Sequence, residues 1–232
     1  MNSLVLIPSN IEYRLLQEHV AGRWPQTGQL AVEICGVGLV ASAVGTAILL
    51  NKFQPDQVFL VGIAGLLNSD LLTSELSPSA IHAEQGETAA IVGHSVVQHG
   101  IGVGEGEDYQ SAETMGFHRF NNDLHLQTPD RIALHFSAVT TDVPQTIQTG
   151  QFLSVMAAAS SRMEADRRRS IYPEALLEDM ETYSVALACH TAGLPLIAIR
   201  GISNVAGDRN LKNWKSPAAM HAATDVLLEY LS

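Results

Sequence analysis

The chain has 232 residues, 46% hydrophobic and 16% charged, which is apolar material for one sizeable core and the size of a single α/β domain over residues 1–232. Its 13 basic residues against 24 acidic ones leave a formal net charge of −11, which argues against nucleic acid or an anionic membrane surface as partner and for a small molecule. Cys35 and Cys189, each in apolar surroundings, make neither a disulfide framework nor a zinc knuckle and read as buried free thiols of a cytoplasmic protein.

Residues 4–7 form an apolar run with no basic segment before it and no small-residue cleavage site after it, so a first strand is expected rather than a signal peptide. A helix over 12–20 and a strand over 30–35 follow. Residues 34–51 carry no charge and are about as long as a membrane-spanning helix. Gly36 and Gly38 interrupt that run, leaving a buried helix over 39–52 that is too short to span. Further strands are predicted at 57–63, 88–92, 132–140, 152–156 and 195–203, and helices over 180–192 and 217–231. Continuous Val/Ile/Leu runs separated by helices belong to central strands covered on both faces, which predicts an open three-layer α/β/α sandwich.

Ligands of such sheets sit beyond the carboxyl ends of strands. Three of those ends carry useful residues: Pro8-Ser9-Asn10-Ile11-Glu12, Gly62-Ile63-Ala64-Gly65, and Ser203-Asn204-Val205-Ala206-Gly207-Asp208. Glu181, in the helix-opening motif Asp179-Met180-Glu181, and Arg200 and Asn204, in the strand Ile199-Arg200-Gly201-Ile202-Ser203-Asn204, lie in apolar sequence. An ionised or amide group buried without hydrogen bonds costs several kcal/mol, so their proximity suggests a polar ligand in a dry pocket. Each also has a plain reading. Glu181 could face its helix dipole, Arg200 could pair a buried carboxylate, Asn204 could end a strand, and Glu12 could be a surface residue.

Other signals are weaker. Gly100-Ile101-Gly102-Val103-Gly104-Glu105-Gly106-Glu107-Asp108 has glycine spacing, but its acids would repel a pyrophosphate, so a mobile loop is expected. His82, His94 and His99 match no zinc spacing and read as solvated or loop histidines, so no metal is expected. Arg162 with Arg167, Arg168 and Arg169 reads as a solvated helix face.

Taken together, Glu12 after the first strand, Gly36-Val37-Gly38, Val61-Gly62-Ile63-Ala64-Gly65, Asp179-Met180-Glu181 and the segment from Arg200 to Arg209 resemble the purine nucleoside phosphorylase and nucleosidase superfamily, and within it the futalosine hydrolases. The likeness covers most of the chain, and the last two motifs with their mutual spacing are its specific part. It implies a central mixed sheet, no cofactor, and a purine nucleoside as substrate. By resemblance Glu12 is the water-activating base, Met180 packs on the ribose and Glu181 accepts from ribose hydroxyls. Arg200 lies near the water, Asn204 meets the purine at N7 and its 6-substituent, and Ile63, Ala64 and Ser203 flank the substrate. The resemblance also implies a homo-oligomer, with the 102–109 region covering a neighbour's sugar pocket.

The implied reaction is hydrolysis of futalosine to hypoxanthine and dehypoxanthine futalosine in the alternative menaquinone route. Methylthioadenosine and adenosylhomocysteine nucleosidases carry aspartate where Asn204 stands. An amide can donate to a 6-oxo group and accept from N7–H, which suits hypoxanthine or guanine better than adenine. The phosphorylases' glycine and arginine loop is absent between Pro8 and Arg14, and Ile63 replaces a serine found in many relatives, so hydrolysis is favoured over phosphorolysis. Thr182, Tyr183 and the 157–161 segment depart from the family pattern. The alternatives are a nucleosidase or phosphorylase for another purine nucleoside, such as methylthioadenosine, adenosylhomocysteine or inosine, and a nucleoside-binding regulatory protein without turnover.

Overall fold

The structure, a computed structural model, describes residues 1–25, 29–72, 88–117, 129–134 and 147–232. In chain order the elements are β1 (Asn2–Ile7), α1 (Asn10–Val20), β2 (Gln29–Ile34), α2 (Gly38–Phe53), β3 (Gln57–Leu66), β4 (Ala90–His99), β5 (Gly102–Val103), β6 (Gln110–Ser111), β7 (Arg131–Ala133), β8 (Thr149–Val155), α3 (Arg162–Ile171), β9 (Ala175–Asp179), α4 (Thr182–Thr191), β10 (Leu196–Val205) and α5 (Ser216–Leu231).

The strand side chains alternate between two cores because successive residues point to opposite faces. On β1, Val5 and Ile7 face a core shared with Leu16 of α1 and Met220, Ala223 and Leu227 of α5. Leu4 and Leu6 face the other core, with Leu49 and Leu50 of α2 and Val185 and Cys189 of α4. All four β1 residues are fully buried, which is why the strand reads as an unbroken apolar run. The result is the expected three-layer α/β/α arrangement around a mixed sheet.

That sheet has eight strands in the order β10-β4-β8-β9-β3-β1-β2, with β7 on β4. An additional pairing of β10 with β3 closes five of them, β3, β9, β8, β4 and β10, into a ring, from which β1 and β2 extend at β3 and β7 at β4. β2, β1, β3 and β10 run parallel to their neighbours in that series, whereas β9 meets β3 antiparallel through Gly65 opposite Glu178. Closure therefore brings the end of β9 against the ends of β3 and β10.

Several local expectations are corrected. Asp179 ends strand β9, which was not anticipated, and the following helix begins at Thr182 instead of residue 180. Its Ala175-Leu176-Leu177 run is short, and the two acids after it are buried, each paired with an arginine. Arg168 is one of those arginines: it is buried, meeting Glu178 at 2.5 Å and Glu164 at 2.5 Å, and is not part of a solvated face. His94 and His99 lie in strand β4, half-buried, and not in loops; burial lowers both pKa values from 6.5. His82 and residues 135–140 lie outside the described residues. The glycine-spaced piece forms part of a short hairpin, β5 paired antiparallel with β6.

Candidate active site

Glu12 enters the site through the start of α1. Ser9, in extended backbone at φ −136° and ψ 160°, accepts the Glu12 amide at 3.2 Å and so caps the helix. The Ser9 hydroxyl donates back to Glu12 Oε2 at 2.5 Å, and the Ile63 amide donates to Oε1 at 3.1 Å. These bonds turn the carboxylate inward across the end of β3, leaving it 7% exposed. It is not a surface residue.

Arg200 of β10 lies opposite Gly62 of β3 in the parallel register. A Cβ on residue 62 would stand 2.2 Å from Arg200 Nη1 and 2.8 Å from Glu12 Oε1, so glycine is what lets these two groups flank one point. The guanidinium is fully buried and is held chiefly by Asp179 Oδ2, at 2.9 Å from Nε and 2.7 Å from Nη2. Nη2 also lies 3.3 Å from Glu181 Oε2 and 3.2 Å from Thr182 Oγ1. Nη1, on the Gly62 and Glu12 side, has no hydrogen-bond partner among the described residues. Asp179 is fixed in turn by Ser154 Oγ at 2.5 Å and by the Thr182 amide and hydroxyl. Arg200 thus pairs a buried carboxylate, as its plain reading has it, and keeps one N–H edge toward Glu12.

Glu181 sits just before α4 and accepts from the Gly38 amide at 2.9 Å through Oε1. Gly38 opens α2, and its φ of +82° suits glycine; a first-turn amide has no partner within its own helix. Behind Glu181, Ser184 Oγ donates to its carbonyl at 2.9 Å and meets Ser42 Oγ of α2 at 2.6 Å. Burial pushes the Glu181 carboxyl up to about 7; Arg200 opposes that rise and Asp179 reinforces it.

At the end of β10, Asn204 Nδ2 donates to the Val205 carbonyl at 2.8 Å, and Ser203 Oγ lies 2.8 Å from Asn204 Oδ1 and 3.1 Å from the Ala64 carbonyl. The single serine proton serves one of those acceptors at a time. The amide keeps one N–H and one lone pair free for a ligand.

A cavity of about 420 Å³ joins these groups. Glu12, Ile63, Ala64, Met180, Glu181, Ser203 and Asn204 line it, while Arg200 stands behind the wall they form. Asp179, Arg209 and Trp214 also line it and had been given no role. For Asp179 the signal was partial: an arginine in an apolar strand requires a carboxylate partner, but the sequence does not say which one. Among the described residues no group of three or more His, Cys, Asp or Glu could hold a metal ion, and no helix is long and apolar enough to cross a membrane.

Mixed sheet and pocket together define an α/β protein whose acidic groups converge on one space fit for a small molecule. The family model described as Phosphorylase superfamily matches residues 16–232, and the chain belongs to that superfamily. It is 28% identical over 225 residues to a 5'-methylthioadenosine/S-adenosylhomocysteine nucleosidase of Chromohalobacter salexigens, covering 94% of this chain and 87% of that protein. A nucleosidase of that name from Colwellia psychrerythraea 34H, solved in complex with adenine, superposes with a TM-score of 0.71 at 19% identity, over 100% of this chain and 94% of the other. Futalosine hydrolase of Helicobacter pylori strain 26695 gives a TM-score of 0.73 at 17% identity, over 100% and 97%. At those identities the two structures show a common fold.

Proposed function

We propose that the protein is a hydrolase acting on N-glycosyl bonds, that its substrate is a purine nucleoside with a 6-oxo base, and that futalosine is that nucleoside, split to hypoxanthine and dehypoxanthine futalosine in the alternative menaquinone route. The observation that carries this reading is the convergence of Glu12, Glu181 and Asn204 on one cavity of about 420 Å³.

The chemistry divides among those groups. As the C1′–N9 bond breaks, its electron pair goes to the purine and positive charge builds on the ribose. Glu12 takes a proton from the attacking water while Arg200 Nη1 faces the same point, so the nucleophile is oriented between acceptor and donor. Ionised Glu181 accepts from the ribose hydroxyls and favours the cationic sugar, and Met180 packs on the ring. Asn204 donates to the 6-oxo group and accepts from N7–H; having no proton of its own to give, it leaves N7 to be protonated from water or another group. Ile63, Ala64 and Ser203 complete the wall.

A second reading, cleavage of methylthioadenosine or adenosylhomocysteine, is favoured by the name of the Chromohalobacter relative. Purified protein incubated with futalosine, methylthioadenosine, adenosylhomocysteine and inosine, with and without phosphate, decides between them. Phosphate-independent release of hypoxanthine from futalosine is expected. Glu12→Gln should lower kcat by roughly 10²- to 10⁴-fold. Asn204→Asp should move preference toward 6-amino bases by about one to two decades, the cost of one unpaired buried group. Adenine nucleosides as the better wild-type substrates would sink the 6-oxo assignment, and phosphate dependence would sink hydrolysis.

We infer in addition that the protein works in the cytoplasm as a homo-oligomer. Val40, Val44 and Ile48 project from one face of α2 at 68%, 57% and 61% exposure. Val37 and Ile11, also exposed, line the cavity, so a second copy seated on that face would wall the site.

A further inference from the structure

Ala158 lines the same cavity as Asn204, and the 157–161 segment that carries it reads Ala-Ala-Ala-Ser-Ser, with no side chain longer than serine. The segment closes directly on the turn after β10: a Cβ at Gly207 would stand 2.4 Å from the Ser161 carbonyl oxygen. Side chains this short cannot anchor a wall by packing, and two buried charges hold its backbone instead.

Glu178 Oε1, on β9, accepts from the Ala159 amide at 2.7 Å, and Arg168 Nη2, on α3, donates to the Ala157 carbonyl at 3.0 Å. Arg168 Nη1 meets Glu178 Oε2 at 2.5 Å, which joins the two holds into one unit. Glu164 extends it: Oε1 accepts from Arg168 Nη2 at 2.5 Å, while Oε2 accepts from the Ser160 amide at 2.8 Å and from its hydroxyl at 2.9 Å. Ala159 is fully buried, so its amide needs an acceptor, and the carboxylate of a distant strand supplies it.

Stability alone does not account for this arrangement. A buried ion pair can be replaced by apolar residues of similar volume at little or no loss, whereas removing one partner strands the other charge. What an apolar pair could not do is fix a carbonyl and an amide on the two sides of Ala158. Among the described residues neither Arg168 nor Glu178 bonds to Glu12, Glu181 or Arg200, so the unit stands apart from the groups that act on the water and the ribose.

We propose that Arg168 and Glu178 are positioning residues for the base: through the backbone of residues 157–159 they hold the wall on which the purine rests beside Asn204. This rests on the reading above, in which Asn204 takes the base.

The test measures calorimetric binding of hypoxanthine and adenine to wild-type protein and to Arg168→Met/Glu178→Met, with urea unfolding alongside. Because both charges leave together, the unfolding midpoint should stay close to that of the wild type. Affinity for the preferred base should nevertheless fall about tenfold, the scale of one hydrogen bond. With nucleoside substrate, KM should rise by a similar factor while kcat, set by Glu12 and Arg200, changes less. Arg168→Met/Glu178→Gln returns an acceptor to the Ala159 amide without a charge and should recover most of the lost affinity.

Unchanged base affinity in the Met/Met variant overturns the assignment, and so does a loss that the glutamine variant fails to recover. A fall in kcat at constant KM overturns it too. If the variants do not fold, hydrogen exchange on the wild type decides: amides of residues 157–161 should exchange at least about threefold more slowly with base bound, and an unchanged rate overturns the assignment. A wild type that prefers adenine, with the loss in the Met/Met variant intact, overturns the 6-oxo reading and leaves the positioning role standing. A wild type that binds neither base overturns both.

Discussion

Four charged side chains, Glu12, Asp179, Glu181 and Arg200, are buried together, and the three carboxylates are kept there by different devices. Glu12 is held by a serine cap and a strand amide, Asp179 by a guanidinium and two hydroxyls, and Glu181 by a helix-start amide. Burial raises the Glu181 carboxyl to about 7, against the pull of Arg200. Between its ordinary value of 4.5 and about 7 the folded chain holds this proton more firmly than the unfolded chain, so the stability contributed here is complete below that window and falls as pH rises through it. His94, His99 and His221, which burial holds below 6.5, act oppositely and destabilise as pH falls. Urea unfolding of wild type against Glu181→Gln isolates the glutamate: the wild type should lose stability relative to the variant from about pH 4.5 to about pH 7. A gap that stays constant across the window would count against it. Glu12, Glu181 and Asn204 were legible as candidates because polar groups in apolar sequence need partners. That Asp179 is the partner of Arg200 was not, since the two are 21 residues apart and meet only through the sheet.

Among the elements, β3 and β10 set the geometry through one parallel register. Arg200 lies opposite Gly62, and the space a Cβ would fill at residue 62 is shared by Arg200 Nη1 and Glu12 Oε1. Gly62→Ala should therefore displace both groups, costing roughly 1 to 3 kcal/mol of stability as overpacking does. It should also lower kcat/KM by more than about tenfold, because a positioned base and donor are moved together. Comparable loss from Gly65→Ala, where a Cβ would meet Ala206 at an ordinary 3.4 Å, would argue that crowding in the strand rather than the displaced pair is responsible. Most strands and helices were readable from apolar runs and glycine breaks. β9 escaped because three apolar residues followed by two acids look like a loop until Arg168 and Arg200 are brought to those acids.

In the whole molecule, the exposed α2 face and the cavity mouth are continuous through Val37 and Ile11. Val44→Glu places a charge in the middle of that face and should convert an oligomer into monomers in sedimentation equilibrium, with a rise in KM as the site loses its outer wall. An oligomer that survives the substitution would locate the interface elsewhere. The amino-acid sequence by itself determined the α/β layering, the buried thiols, and the strand-end location of the candidate site with most of the residues that line its cavity, because burial patterns and strand-end chemistry are local in the chain. Only the tertiary structure decided that five strands close into a ring and that Asp179 is the carboxylate that answers Arg200. Those facts depend on which distant segments pair, and the free energy of pairing comes from contacts across the sheet that no local run of residues encodes.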